Sequence, residues 1–209
     1  IGSFDSYVYA LEPKTGKVTW KFKTNDHVYG SVALDADAEG HTRAIYVGSA
    51  DGIFYALDPE GELMWRYDTG DPIRSSPVIG NAPEVAMDTP RSGDLRRATR
   101  GKIVYFGAGN GKLYALNTAD GTRRWSFDTT LKQPELRDRN DLNGSPALGE
   151  TGVYIGGEHG HVWYVPYDYC LHNLDPRCDT YPGEDLPEDM AGLVYVTPGG
   201  STASVVNRS

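Results

Sequence analysis

The chain has 209 residues, a formal net charge of −9 and a sequence pI near 5.0. Such acidity argues against nucleic acid or an anionic membrane surface as the main partner, since both would repel it. No stretch approaches the ~20 consecutive apolar residues of a spanning helix, so no membrane span is expected.

In chain order, one unit recurs. Ile1–Thr24 reads IGSFDSYVYALEPKTGKVTWKFKT, Ile45–Gly70 reads IYVGSADGIFYALDPEGELMWRYDTG, and Gly101–Thr129 reads GKIVYFGAGNGKLYALNTADGTRRWSFDT. The full unit is strand, tight turn, strand, tight turn, strand, with Gly and Asn or Asp at the turns. Its anchors are Tyr9-Ala10-Leu11, Tyr55-Ala56-Leu57 and Tyr114-Ala115-Leu116, then Gly16, Gly61 and Gly121, then Trp20, Trp65 and Trp125. The opening IGS aligns with VGS (Val47–Ser49) and FGA (Phe106–Ala108) at the end of a strand. The sequence therefore starts in mid-unit, and the expectation is a piece of a longer polypeptide.

Successive tyrosines Tyr9, Tyr55, Tyr114 and Tyr164 lie 46, 59 and 50 residues apart. Repeats of roughly 40–50 residues holding several short strands indicate propeller blades. In IVYF and LYAL both parities are apolar, as for strands covered on two faces. Val18, Trp20 and Phe22 alternate with Thr19, Lys21 and Lys23, and Trp125 and Phe127 with Arg124, Ser126 and Asp128. That pattern fits a half-exposed outer strand. Small-residue segments before each unit (Gly30–Leu34, Ser75–Ile79, Gly144–Leu148) supply the crowded inner strand, where Pro77 and Pro146 are tolerated at a free edge. The fold class is all-β: a partial propeller of about four four-stranded antiparallel blades over residues 1–167.

The run Ala10 through Thr15-Gly16 to Trp20 resembles the pyrroloquinoline-quinone-like, or quinoprotein-like, propeller repeat. Asp120-Gly121 to Trp125 matches it, and Glu60-Gly61 to Trp65 matches with one residue deleted. The resemblance covers roughly residues 1–165. It implies that Trp20, Trp65 and Trp125 dock onto the adjacent blade, with Ala10, Gly16, Ala56, Gly61, Ala115 and Gly121 as the accompanying structural positions of the blade-docking motif. The same scaffold serves quinone-dependent dehydrogenases, the BamB-type assembly lipoprotein and sensor ectodomains, so the resemblance specifies fold more than function.

The loops are read next. Asp35, Asp37 and Glu39 have alternating-acid spacing. Arg43 and Tyr46 at the ninth and twelfth positions exclude an EF-hand, leaving a polar hairpin turn or a shorter calcium loop. An insertion at 81–100 falls on the same face, so Arg96 or Arg97 is available to neutralise those acids. A second insertion, 131–143, joins two blades on the opposite face and is where a partner is sought first. The fourth blade, 144–167, has Tyr164-Val165-Pro166 in place of Tyr-Ala-Leu and no following Trp.

Residues 168–209 form a Cys-, Pro- and Asp-rich extension with one further strand near Gly192–Gly200 and a linker. Cys170 and Cys178, eight apart, fit neither a CxxC motif nor haem attachment, and a loop-closing disulfide in an oxidising compartment is the preferred reading. His159 and His161 flank a turn without an evident third ligand.

No GxSxG, HExxH or P-loop occurs, and Asp51 and Asp58 are turn acids. As a family, the quinone-dependent dehydrogenases carry adjacent cysteines and calcium ligands around the quinone. The cysteine spacing here argues against bound pyrroloquinoline quinone. The expected function is a non-catalytic, secreted or periplasmic scaffold for protein partners, with the remaining blades or a partner closing the ring. The alternatives are part of a quinone-dependent dehydrogenase or a calcium-stabilised adhesin.

Overall fold

A computed structural model describes residues 1–81, 101–129, 141–158, 160–167, 169 and 192–196. Its strands are β1 (Tyr7–Leu11), β2 (Val18–Lys23), β3 (Ala33–Ala36), β4 (Thr42–Gly48), β5 (Ile53–Leu57), β6 (Leu63–Asp68) and β7 (Val78–Asn81). They continue as β8 (Lys102–Gly107), β9 (Lys112–Asn117), β10 (Arg123–Asp128), β11 (Ala147–Leu148), β12 (Gly152–Gly156), β13 (His161–Pro166) and β14 (Gly192–Val196). Three sheets are four-stranded antiparallel meanders, β3–β6, β7–β10 and β11–β14, and a fourth pairs only β1 with β2. These are propeller blades.

The outer hairpins of the first three blades carry a bulge at one place, which sets Trp20 opposite Ala10, Trp65 opposite Ala56 and Trp125 opposite Ala115. A methyl opposite an indole leaves the ring free to reach the neighbouring blade. The short turns need left-handed backbone, met by Gly52, Gly111 and Gly160 (φ 83°, 73° and 77°). In the first blade Ser6 takes that position at φ 71°, a conformation disfavoured for any side chain.

The core lies between blades. Val8 and Val28 of the first blade and its connector meet Ile45, Val47, Tyr55 and Leu57 of the second. The other parity of those strands, Tyr46, Phe54 and Ala56, meets Val104, Phe106 and Leu116 of the third. Ile103, Tyr105, Trp125 and Phe127 then meet Val153, Ile155, Trp163 and Val165 of the fourth. This is why both parities of the middle strands are apolar.

Three details differ from the sequence reading. First, β12–β13 pairs Ile155 with Trp163, as Val47 pairs with Tyr55 and Phe106 with Tyr114. Trp163, not Tyr164, is the repeat's aromatic, and Tyr164 holds the alanine position. Second, the inner strands begin only at Ala33, Val78 and Ala147, so Pro77 and Pro146 lie just before them and remove no ladder bond. Third, β10 is not half exposed. Arg124 and Ser126 are buried, and Arg124 comes within electrostatic range of Tyr105, whereas Met64, in the same bulge of β6, stays exposed.

In the first blade the place of the two inner strands is partly taken by Ile1–Ser3. Gly2 bridges Val8, and Tyr9 N–H donates to the Ile1 carbonyl at 2.8 Å. Beyond them runs a groove of about 540 Å³ lined by Val8, Ala10, Trp20, Val32, Leu34 and Ile45 among others. No helix among the described residues is long and apolar enough to cross a membrane.

Candidate functional site

The connectors from the outer strand of one blade to the inner strand of the next are built alike. They read Asp26-His27-Val28-Tyr29-Gly30-Ser31, Asp71-Pro72-Ile73-Arg74-Ser75-Ser76 and Asp141-Leu142-Asn143-Gly144-Ser145. Val28, Ile73 and Leu142 are buried plugs. A Cβ added to Gly2 would stand 2.4 Å from Val28 Cγ1, one on Gly48 2.1 Å from Ile73 Cγ2, and one on Gly107 2.3 Å from the Leu142 carbonyl oxygen. The glycine ending each first strand is thus the seat of the plug.

Serines tie adjacent connectors around the axis. Ser31 N–H donates to Ser76 Oγ at 2.8 Å, and Ser76 N–H to Ser145 Oγ at 3.0 Å. Thr24, Thr69 and Thr129 latch the outer strands: their hydroxyls donate to the carbonyls of Ser6 (3.1 Å), Gly52 (2.9 Å) and Gly111 (2.7 Å).

The hairpin turns on this face each hold a side-chain clasp. Asp51 accepts from Tyr55 Oη at 2.7 Å, Asn25 N–H at 2.9 Å and Ile53 N–H at 2.9 Å. Burial and this carboxylate push the Tyr55 phenol well up. Asp5 accepts from Tyr9 Oη at 2.6 Å, and its carboxyl is lowered chiefly by that bond. Asn110 instead donates to Tyr114 Oη at 2.8 Å and to the Thr69 carbonyl at 2.9 Å. These polar groups are consumed by the turns.

What the face leaves exposed sits just after the first plug. Tyr29 is 46% exposed and Phe4 63%. Their rings lie 4.7 Å apart, with His27 5.5 Å from Phe4 and 5.8 Å from Tyr29. Arg74 stands 5.7 Å over Tyr29 and bridges Asp141 at 3.4 Å. Burial, Glu158 and Asp71 raise the Asp141 carboxyl, outweighing Arg74. Asp26 clasps His27, which lowers the Asp26 carboxyl.

The residues singled out from sequence fall as follows. Trp20 Nε1 donates to the Pro59 carbonyl (2.9 Å), Trp65 Nε1 to that of Thr118 (3.0 Å) and Trp125 Nε1 to that of Tyr167 (3.2 Å), always on the next blade. Trp125 is fully buried, whereas Trp20 and Trp65 are partly so. Gly61 and Gly121 are the seats of Trp20 and Trp65, while Gly16 has nothing near its Cα face.

On the other face Lys102 Nζ is clasped to Asp35, and Asp37 accepts from its own turn at Glu39 N (3.1 Å) and His41 N (2.8 Å). Asp35, Asp37 and Glu39 form no metal-holding group, nor does any three-membered set of His, Cys, Asp or Glu among the described residues. Lys102 thus neutralises Asp35; Arg96 and Arg97, with Cys170, Cys178, His159 and most of both insertions, lie outside the described residues.

Sequence reasoning missed the plugs, the Ser ladder and the Thr latch. The signal was present: each plug precedes its ladder serine by three residues (Val28–Ser31, Ile73–Ser76, Leu142–Ser145).

Fold and repeat chemistry together define a propeller of pyrroloquinoline-quinone-like repeats. Residues 6–168 match the family described as outer membrane protein assembly factor BamB, and the chain belongs to that family. Among relatives, the BamB of Yersinia pestis is 26% identical over 164 residues, 74% of this chain and 35% of that protein. The quinohemoprotein alcohol dehydrogenase ADH-IIG of Pseudomonas putida is 29% identical over 172 residues, covering 76% of this chain and 22% of that enzyme. The crystal structure of BamB from Moraxella catarrhalis superimposes with a TM-score of 0.55 at 18% identity, over 79% of this chain and 42% of that one. The chain thus spans about a third of the Yersinia BamB and a smaller share of the dehydrogenase.

Proposed function

We propose that the chain is a non-catalytic, extracytoplasmic propeller module that binds protein partners during assembly of the outer membrane. The observation that carries this reading is the family match over 6–168, whose description is an assembly factor. The chemistry agrees with it: two of the three acids offered as metal ligands, Asp35 and Asp37, are engaged by Lys102 and by backbone turns.

The test is complementation and co-purification. The full-length protein is expressed in a Gram-negative host lacking its own BamB. Restored levels of outer-membrane β-barrel proteins, with co-purification of the assembly machinery, are the expected result. Normal export to the periplasm with neither effect would refute it. Similarity to ADH-IIG supports a second reading, part of a quinone-dependent dehydrogenase. That reading requires dye reduction with an alcohol after addition of pyrroloquinoline quinone and calcium, and no reduction under those conditions rules it out.

A further inference from the structure

The connector face carries an apolar feature that the fold does not need. Phe4 occupies the turn position held by Ala50 in the second blade and Gly109 in the third, so the turn forms without an aromatic there. Tyr29 occupies the post-plug position held by Arg74 and Asn143 in the other connectors. Among the described connectors only the first carries large rings at both positions, and the two pack against each other at a tilt and against His27, edge-on from Phe4, while remaining 63% and 46% exposed. Leaving such rings in water is unfavourable, and the repeat shows that smaller or polar residues serve the architecture equally well.

The surroundings specify what covers them. From Tyr29 the surface continues through Arg74 to Asp141 at 3.4 Å, and on to Glu158, whose N–H donates to the Asp141 carbonyl at 3.1 Å. Asp71 also acts on Asp141, and Asp26 adjoins His27. Arg74 pairs with Asp141, and Glu158 and Asp71 act on the same carboxyl, so among the described residues the acids around Arg74 outnumber it, in a chain of net charge −9.

We infer that Phe4, His27 and Tyr29 form a docking platform for a basic segment of a partner protein. An aliphatic or aromatic side chain of that segment lies on the rings, and its arginine or lysine faces the carboxylates around Arg74. Arginine is favoured, since its planar guanidinium both stacks on an aromatic face and pairs with carboxylate. The platform rests on the protein-binding reading above and names the chemistry of one partner surface.

The test uses the full chain and a fluorescein-labelled heptapeptide of alternating arginine and leucine, followed by anisotropy at 0.15 M salt. Saturable binding is expected, weakened roughly tenfold or more in Phe4→Ala/Tyr29→Ala, a loss of about 1.4 kcal/mol or more. Both rings are exposed, so the double variant should fold, with an unchanged melting profile as the check. Met64→Ala, an equally exposed residue on β6, should bind as the parent does. A peptide with leucine replaced by serine should bind weakly, as should one with arginine replaced by glutamate. Equal binding by the serine peptide would mean charge attraction alone and overturn the platform, as would an unaffected double variant or equal loss in Met64→Ala. In the complementation host, Phe4→Ala/Tyr29→Ala with full activity and full co-purification refutes only the platform. Failure of the parent protein there refutes the broader reading.

Discussion

Gly61 and Gly16 occupy the same turn in adjacent units, at φ 87° and 67°, yet a methyl group added to each meets different surroundings. At Gly16 nothing lies within 4 Å. At Gly61 the new Cβ would stand 2.6 Å from Trp20 Cδ2. Both substitutions to alanine force an L-residue into left-handed backbone, at about 1–2 kcal/mol. Only Gly61→Ala must also push an indole back by roughly 1 Å to regain ordinary carbon contact. That shift threatens the 2.9 Å bond from Trp20 Nε1 to the Pro59 carbonyl. Overpacking adds about 1–3 kcal/mol, so Gly61→Ala should cost about 2–5 kcal/mol in all. Urea denaturation followed by far-ultraviolet circular dichroism measures both variants, and a Trp20→Ala background closes a double-mutant cycle. There the excess cost of Gly61→Ala should vanish, giving a coupling of about 1 kcal/mol or more. Equal costs at Gly16 and Gly61, or additivity within about 0.5 kcal/mol, would refute the docking geometry.

Ser6→Gly removes the positive-φ strain in the first turn and should stabilise by about 0.5–1 kcal/mol in urea, whereas Ser6→Ala should give no gain. Arg124 is nine-tenths buried, and its guanidinium finds no hydrogen-bond acceptor among the described residues. Arg124→Met, the residue of the equivalent second-blade position Met64, should leave stability unchanged or raise it by about 1–3 kcal/mol; a loss above ~1 kcal/mol would mean that the charge is satisfied. Asp141 has a raised carboxyl, so its ionisation opposes folding. The folded state binds that proton more tightly than the unfolded chain does. The penalty is therefore complete at pH above the raised value and absent below the ordinary value of 3.8. Relative to Asp141→Asn, the parent should gain stability as pH falls from 7 toward 4, and a parallel or opposite trend in paired melting curves would contradict the assigned environment.

What the sequence made legible follows from the physics of the blade. Strands squeezed between neighbours are apolar at both parities, so IYV, FYAL, IVYF and LYAL announced themselves. The turns required glycine, and the indoles required a small residue opposite. Where one of these signals was imitated, the reading slipped. Tyr164 looks like the repeat's tyrosine, but turn length fixes register, and Trp163 is the residue opposite Ile155. Alternation in β10 promised an exposed Arg124, yet it is buried within electrostatic range of Tyr105, while Met64 at the equivalent bulge position stays exposed, so the difference lies in the neighbouring blade and not in the strand's own pattern. The plugs escaped notice because one apolar residue in a polar connector has no periodicity; only its contact with a glycine distant in sequence reveals it.

The candidate site was less legible for a related reason. In a repeat protein the residues that build the fold are the ones that recur, and a reading that looks for recurrence finds the scaffold. Asp51 and Asn110 recur in role, and so prove to be turn clasps. Phe4 against Ala50 and Gly109, and Tyr29 against Arg74 and Asn143, do not recur. Their contacts lie across connectors rather than along a strand, so no spacing could group them. Once the register superimposes the units, what the scaffold cannot explain is left as the surface most open to selection for a partner. That residue set is Phe4, His27, Tyr29 and the carboxylates around Arg74, and it lies on the side of the blades where the connectors converge.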